Sequence, residues 1–328
     1  MNAQTVLVDG ATGYLGNHVV SSLIRSGATV HALIRPQARA EDRAFLEQAG
    51  CKVFEGELAL YQDNLPATQR RKLDDAFAGV THAVHLIGSI APTKDEKFDQ
   101  LHRDQSRAFA SWCVRAKNLN GFKRALMVTA LGADSEARSE YLRSKRAGEM
   151  ALLAELEAAN IGVTIFRPSL IIGRLVGSRD SKLMKRYRTL AATRPLVPLI
   201  NGGHNLVQPV FVGDLADAIA GKVSAAENNN VEIVEIGGAE QISMRALVGE
   251  LLAVLGIKKN FLDLPPQGAL FVAGLMERFQ KVPLLSKDQA IMACHDNVCT
   301  DNALGELISP EPVTTVRQAL ETYETNRH

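Results

Sequence analysis

The stretch "SEYLRSKRAGE" sets Tyr141 and Lys145 four residues apart. On a helix that spacing puts both side chains on one face, one turn apart. An ammonium group beside a phenol favours the phenolate, which lowers a pKa that starts at about 10. A tyrosine treated this way can exchange protons near neutral pH as a general acid or base. The chemistry then depends on what the chain brings to that phenol.

A second cluster lies almost at the start. "VDGATGYLGNHVV" spaces Gly10, Gly13 and Gly16 as G-x-x-G-x-x-G, after an apolar run and at the opening of a helical pattern. Glycines there let backbone N–H groups approach a pyrophosphate, and the helix N-terminus favours its negative charge. The intervening Thr12, Tyr14 and Leu15 join the three glycines as candidate contacts of a dinucleotide. The end of the second strand should read the adenosine ribose. Here "ALIRPQAR" supplies Arg35 and Arg39 and no acid before Glu41. An arginine fork suits a 2′-phosphate, whereas an acid there would hold a 2′-hydroxyl. The expected cofactor is therefore NADP (NADPH) over NAD. Lys145 could also hydrogen-bond the nicotinamide ribose.

The elements that would position these groups alternate. Strand-like runs at Thr5–Val8, Thr29–Ile34, "CKVFEG", Thr81–Gly88, Arg124–Gly132 and Val163–Pro168 are separated by helical patterns. Those patterns run to about Ser26, over "ARAEDRAFLEQAG", and across about 69–77, 97–117 and 140–159. This rhythm predicts βαβ units, right-handed crossovers and an α/β fold: a Rossmann-type, doubly wound parallel sheet. Tyr141 then opens the helix after the fifth strand, at the carboxyl edge of the sheet where such folds bind ligands. After Pro168 the alternation breaks. The expected division is a dinucleotide domain over 1–173, rejoined by 209–238, and a smaller, mostly C-terminal substrate lobe from 174–208 and 239–328.

Bulk properties narrow the classes. Of 328 residues, 46% are apolar and 22% charged, with a net charge of +1, so nothing favours a nucleic-acid partner. The basic run Lys182–Arg194 reads as a solvated helix face. Cys51, Cys113, Cys294 and Cys299 show no CxxC spacing and fit idle thiols; His295 beside two of them lacks a second ligand pair, so no metal is expected. "MNAQ" runs directly into the first strand, and the longest apolar stretch, "ALFVAGLM" (Ala269–Met276), is far short of the roughly 20 residues a membrane span needs. A cytoplasmic location is the expectation. The same stretch, with Leu170, Ile171, Ile172 and Leu175, is expected to line an apolar cleft between domain and lobe.

"GATGYLG", "HLIG", "VTALGA", "YLRSK", "IFRPSLIIG" and "PVFVGDLADAI" stand in an order that resembles the short-chain dehydrogenase/reductase superfamily, in its extended and atypical branch. The set is similar to relatives of the NAD(P)-binding accessory subunit of respiratory complex I. The resemblance implies that Glu57 and Leu58 approach the adenine and that Ile87 and Gly88 line the cofactor. It also implies that Arg167 and Pro168 begin a segment passing beside the nicotinamide. It departs from the family at one point. The catalytic serine or threonine falls on Ala130 and Leu131, whose side chains cannot donate a hydrogen bond. Thr129 lies slightly early and is the remaining candidate, with Ser135 and Ser139 nearby.

Three functions remain open. One is an NADP-dependent oxidoreductase acting on a small or hydrophobic carbonyl or hydroxyl compound, with Tyr141 exchanging the proton. Another is a catalytically weak or inert nucleotide-binding protein in an accessory or redox-sensing role, with a homodimer also possible. The third is a sugar-nucleotide epimerase or dehydratase. The fold hosts all of them.

Overall fold

A computed structural model describes residues 4–58, 65–90, 97–225, 229–279 and 285–325. The first half runs β1 (Thr5–Asp9), α1 (Tyr14–Arg25), β2 (Thr29–Ile34), α2 (Ala40–Gln48), β3 (Lys52–Glu55), α3 (Ala67–Phe77), β4 (His82–His85), α4 (Gln105–Asn120), β5 (Arg124–Val128), α5 (Glu140–Ala158) and β6 (Gly162–Pro168). The second half holds β7 (Ile171–Ile172), α6 (Lys182–Thr193), β8 (Leu196–Ile200), β9 (Leu206–Val207), β10 (Val210–Phe211), α7 (Val212–Ser224) and β11 (Val231–Ile236). It continues through β12 (Ile242–Ser243), α8 (Met244–Val254), β13 (Asn260–Leu264), α9 (Pro266–Phe279), α10 (Lys287–Met292), α11 (Leu304–Leu307) and α12 (Val316–Thr325).

Seven strands form one parallel sheet in the order β11-β6-β5-β4-β1-β2-β3. β1 pairs with β2 on one side and β4 on the other, so the winding reverses between β1 and β4. That reversal opens a crevice at their carboxyl ends, where α/β sheets take ligands. The apolar strands are covered on both faces. Val19, Leu23, Leu215 and Ile219 from α1 and α7 pack on one. Phe109, Trp112, Leu152 and Leu156 from α4 and α5 pack on the other. Full burial of such side chains contributes roughly 1.5–3 kcal/mol each, which makes the sheet a firm support for the loops at its edge.

Two elements differ from the sequence pattern. β4 stops at His85 because the next amide, Leu86 N–H, leaves the ladder and donates to the Asp9 carboxylate at 2.9 Å. The helical region around 97–117 contains a wide, π-type turn at Gln100–Asp104 before α4 begins; such turns widen a helix and often occur at functional sites. Beyond Pro168, β11 pairs with β6 in the main sheet and α7 packs on α1. A separate core gathers Met184 and Tyr187 of α6, Leu247 and Leu251 of α8, and Leu320 and Tyr323 of α12. Leu304 of α11 instead joins the first-domain core.

Candidate active site

The glycine turn connects β1 to α1 at the crevice. Gly10 has φ +68°, a left-handed conformation that side chains resist, and a Cβ there would lie 3.0–3.2 Å from Leu86 and Ile87. Gly16 is held to glycine by packing, since its Cβ would sit 2.2 Å from the Gly10 carbonyl oxygen. Gly13 is different: its backbone is ordinary (φ −75°, ψ 170°), and a Cβ would meet only the Gly10 oxygen, at 3.0 Å. Gly13 caps α1 without a side-chain acceptor, and the first turn carries no acid. The opening amides of α1 therefore remain available to an anion, and this cradle fits a dinucleotide pyrophosphate.

The other residues of the turn anchor it. Thr12 is half-buried. Tyr14 donates its hydroxyl to the Gly173 carbonyl, and burial pushes its pKa up. Leu15 packs against two of the cores. One turn later His18 holds the segment after β7. Its Nδ1 bonds the Tyr14 carbonyl at 2.9 Å, leaving Nε2 to accept from Leu175 N–H at 3.0 Å.

At the end of β2 the two arginines part company. Arg35 is exposed, and its side chain has no hydrogen bond or ion pair among the described residues. Arg39 is committed: it grips the Asp42 carboxylate at 2.8 and 3.0 Å, pairs with Glu41 and donates to Ser178 Oγ at 3.0 Å. Glu57 is exposed. Leu58 is buried in the second core, so its side chain is packing; the residues that follow, 59–64, lie outside the described part.

Tyr141 and Lys145 are brought to the same crevice by α5. Ser139 Oγ caps this helix by accepting from Leu142 N–H at 3.1 Å. Asp288 of α10 accepts from Glu140 N–H at 2.9 Å and Tyr141 N–H at 2.6 Å. The start of the tyrosine helix is thus fastened by the C-terminal part of the chain. Lys145 is buried, and its Nζ lies over Gly88, where a Cβ would come within 2.5 Å of it. Gly88 follows Leu86 and Ile87, the residues against which Gly10 packs. A continuous line of close contacts therefore joins the glycine turn to the lysine.

His102, on the wide turn before α4, was not marked by any sequence spacing. Its ring stands edge-on to Tyr141 at 5.7 Å, with Phe98 completing the group. Ser144 Oγ donates to the Tyr141 carbonyl at 2.7 Å, so it accepts from His102 Nδ1 at 2.8 Å. His102 Nε2 then accepts from Ser89 N–H at 3.3 Å. Burial first, then the Lys145 charge and His85, hold the His102 pKa down at about 3, so the ring is neutral at working pH. Below it, Asp9 receives His85 Nδ1 at 2.6 Å.

The expected lowering of the tyrosine pKa is not found. Burial raises the Tyr141 pKa, and it is Lys145 that is lowered, to about 8, by burial opposed by Glu149 and Asp9. The phenol is held protonated, the form a proton donor needs.

Thr129 and Arg167 are placed elsewhere. Thr129 is buried and donates its hydroxyl to Glu149 Oε1 at 2.7 Å. Arg167 binds the same carboxylate through two bonds, at 2.9 and 2.6 Å. Thr129 therefore has no free hydroxyl for a substrate carbonyl, and the Arg167 fork faces Glu149. Pro168 ends β6, and its carbonyl accepts from Leu131 N–H at 2.9 Å. The expected apolar cleft is also corrected. Ile172 is fully buried and Leu170 and Ile171 pack on cores. α9 rests on its neighbours through Ala269 and Ala273, turning Leu270, Phe271, Leu275 and Phe279 to the surface. Concavities lined by Arg70 and Asp74, or by Arg43 and Glu55, lie on α3 and the edge strand β3 and hold none of the groups above. No helix among the described residues is long and apolar enough to cross a membrane.

Comparison with known proteins agrees with this geometry. Residues 10–179 match the family described as NAD(P)H-binding, and residues 127–237 match the NAD dependent epimerase/dehydratase family. The chain belongs to the NAD(P)H-binding, epimerase/dehydratase-like family, the extended short-chain dehydrogenase/reductases. Its relatives include subunit 9 of the NADH dehydrogenase [ubiquinone] 1 alpha subcomplex of Arabidopsis thaliana, 26% identical over 306 residues, covering 90% of this chain and 71% of that protein. Ceramide reductase of Caulobacter vibrioides is 26% identical over 279 residues, covering 84% and 78%. Among solved structures, gox2253 superposes with a TM-score of 0.73 at 18% identity over 99% of both chains. UDP-glucuronic acid 4-epimerase from Bacillus cereus, in complex with NAD, gives 0.70 at 15% identity over 97% of this chain and 95% of that one. These last two likenesses show the fold.

Proposed function

We propose that this protein is an NADP-dependent oxidoreductase that interconverts a carbonyl and a hydroxyl compound, with Tyr141 as the proton donor and acceptor. The observation that carries the reading is Lys145: a buried ammonium with no acceptor among the described residues, standing over Gly88 between the glycine turn and the phenol. The turn at Gly10, Gly13 and Gly16 and the opening amides of α1 would hold the pyrophosphate, and Arg35 would meet the 2′-phosphate. The nicotinamide supplies or accepts the hydride when bound. Lys145 donates to the ribose, one helical turn from the phenol. Tyr141 gives its proton to the carbonyl oxygen in reduction and takes it back in oxidation. Residues 174–208 and 239–328 form the substrate side. Purified protein loaded with NADPH and offered a panel of ketones and aldehydes should oxidise the cofactor with at least one of them; no turnover across the panel would count against the enzyme reading.

One observation favours a second reading, a nucleotide-binding accessory protein with little catalysis. At the positions where the family places its second donor to the carbonyl, the side chains of Ala130 and Leu131 carry none and the Thr129 hydroxyl is given to Glu149. On that reading NADPH binds tightly and is not consumed.

A further inference from the structure

The C-terminal lobe turns an apolar face to solvent that the oxidoreductase reading does not use. β8 and β13 pair in parallel, with Leu196 opposite Asn260 and Pro198 opposite Leu262. Alternate residues of such a pair point to opposite faces. Val197, Leu199 and Phe261 face the core built on α6 and α8. Leu196 and Leu262 point the other way and are exposed. Ile200 and Leu264, on that same outward face, lie against α9. α9 therefore extends the apolar surface: it rests on Ala269 and Ala273 and presents Leu270, Phe271, Leu275 and Phe279. The two phenylalanines are each 75% exposed. A helix with small residues inward and large apolar ones outward marks an interaction surface.

The charge around this face tells what covers it. Arg194 and Lys258 stand exposed just before β8 and β13, and Lys259 Nζ donates to the Arg194 carbonyl at 3.0 Å. Arg278 is exposed on α9 itself. Lys287 lies against α9, where a Cβ on Gly274 would come within 2.9 Å of its Cε. The acids of the same elements are engaged. Asp263 pairs with Arg245 at 2.8 Å, Glu277 accepts from Lys287 N–H at 2.8 Å, and Asp288 holds the Glu140 and Tyr141 amides. A second copy seated face to face would set cations against cations, because a two-fold contact repeats the same patch on both sides. An anionic bilayer offers the complement, with acyl chains for the phenylalanines and headgroups for the cations. We propose that α9 and the outward face of β8 and β13 dock this protein on an anionic lipid surface. α10 packs on α9 through Ala290, and its Asp288 caps α5, so the docked face borders the helix that carries Tyr141. The proposal goes beyond the oxidoreductase reading and does not depend on it.

Flotation with lipid vesicles tests it. The full-length protein is mixed with vesicles of phosphatidylcholine alone, or of equal parts phosphatidylcholine and phosphatidylglycerol, and the bound fraction is measured. The parent should float with the anionic vesicles, bind the neutral ones at least about tenfold more weakly, and lose affinity as salt rises. Phe271→Ser/Phe279→Ser should bind the anionic vesicles at least about tenfold more weakly, the scale set by the burial of aromatic side chains. Both rings are exposed, so the denaturant midpoint of that variant should match the parent's. Arg278→Glu should also weaken binding to the anionic vesicles. Leu119→Ser, at an exposed apolar residue on α4, should change nothing. A parent that ignores the anionic vesicles, or a double variant that floats as the parent does, would overturn the proposal. So would a dimer in sedimentation that Phe271→Ser/Phe279→Ser splits, since the face would then belong to a second copy. Vesicle binding is read without turnover, so failure of the oxidoreductase reading leaves this result untouched.

Discussion

One turn of α5 separates Lys145 from Glu149, and the two buried charges are treated in opposite ways. Glu149 is fully enclosed and satisfied: Thr129 donates to one oxygen and Arg167 spans both. Lys145 is almost as deeply buried and has no acceptor among the described residues, only the space over Gly88 and a pKa lowered to about 8. A charge that the protein satisfies itself ties β5, α5 and β6 together. A charge that it leaves open is available for a ligand. Among the described residues the same contrast recurs at the edge of the sheet, where the Arg39 side chain is bound by Asp42 and that of Arg35 has no partner.

The comparison can be broken most sharply at the open end. Tyr141→Phe keeps the ring against Phe98 and His102 but removes the proton. Turnover should fall by about 10²–10⁴-fold, the usual weight of a general acid, with NADPH affinity nearly unchanged. Equal rates of NADPH oxidation in parent and variant, with a substrate that the parent turns over, would make the phenol structural and favour the accessory reading.

At the satisfied end the effect should be on stability. Glu149→Ala leaves the half-buried Arg167 and the Thr129 hydroxyl without their partner and should cost about 3 kcal/mol, read as a lowered denaturant midpoint. The folded fraction should still bind NADPH as the parent does. A selective loss of cofactor affinity without loss of stability would place Glu149 in the site and erase the contrast.

Arg35→Ala gives a smaller effect. Losing a hydrogen bond to a charged phosphate should weaken NADPH by about 1.5–3 kcal/mol and leave NADH untouched. Arg39→Ala should be much milder toward NADPH, because its fork is already held by Asp42. Calorimetry of both cofactors with both variants checks the pair, and equal losses would mean that the Asp42 grip gives way to the ligand.

How far all this was legible in the sequence varies along the chain. The strand–helix alternation was readable because the central strands are buried on both faces, leaving short unbroken apolar runs such as "TVLV". The glycine spacing and the Tyr141–Lys145 pair were readable because each is local: a turn, or one turn of a helix. His102 and Asp288 carried no signal, since each reaches α5 from another element, and Ser89 meets His102 from the segment after β4. Glu149 escaped because its partners come from the residue after β5 and from β6, 20 and 18 residues away. The same distance explains the misplacement of Thr129, whose hydroxyl faces inward to an acid that no spacing announces. The apolar run at Ala269–Met276 misled for a related reason. Its small residues do the packing and its large ones point outward, the reverse of what hydrophobicity alone predicts.

The central claim is that the unsatisfied charge on Lys145 serves the dinucleotide, and NADPH affinity measured by calorimetry below and above pH 8 tests it directly in parent and Lys145→Met proteins. A lysine is charged below its pKa, so the parent should bind tightly at the lower pH and lose affinity as pH rises through about 8. The variant should bind more weakly at the lower pH, by about 1.5–3 kcal/mol, and should lack that dependence. Equal affinity in the two proteins, with the same response to pH, would contradict the account.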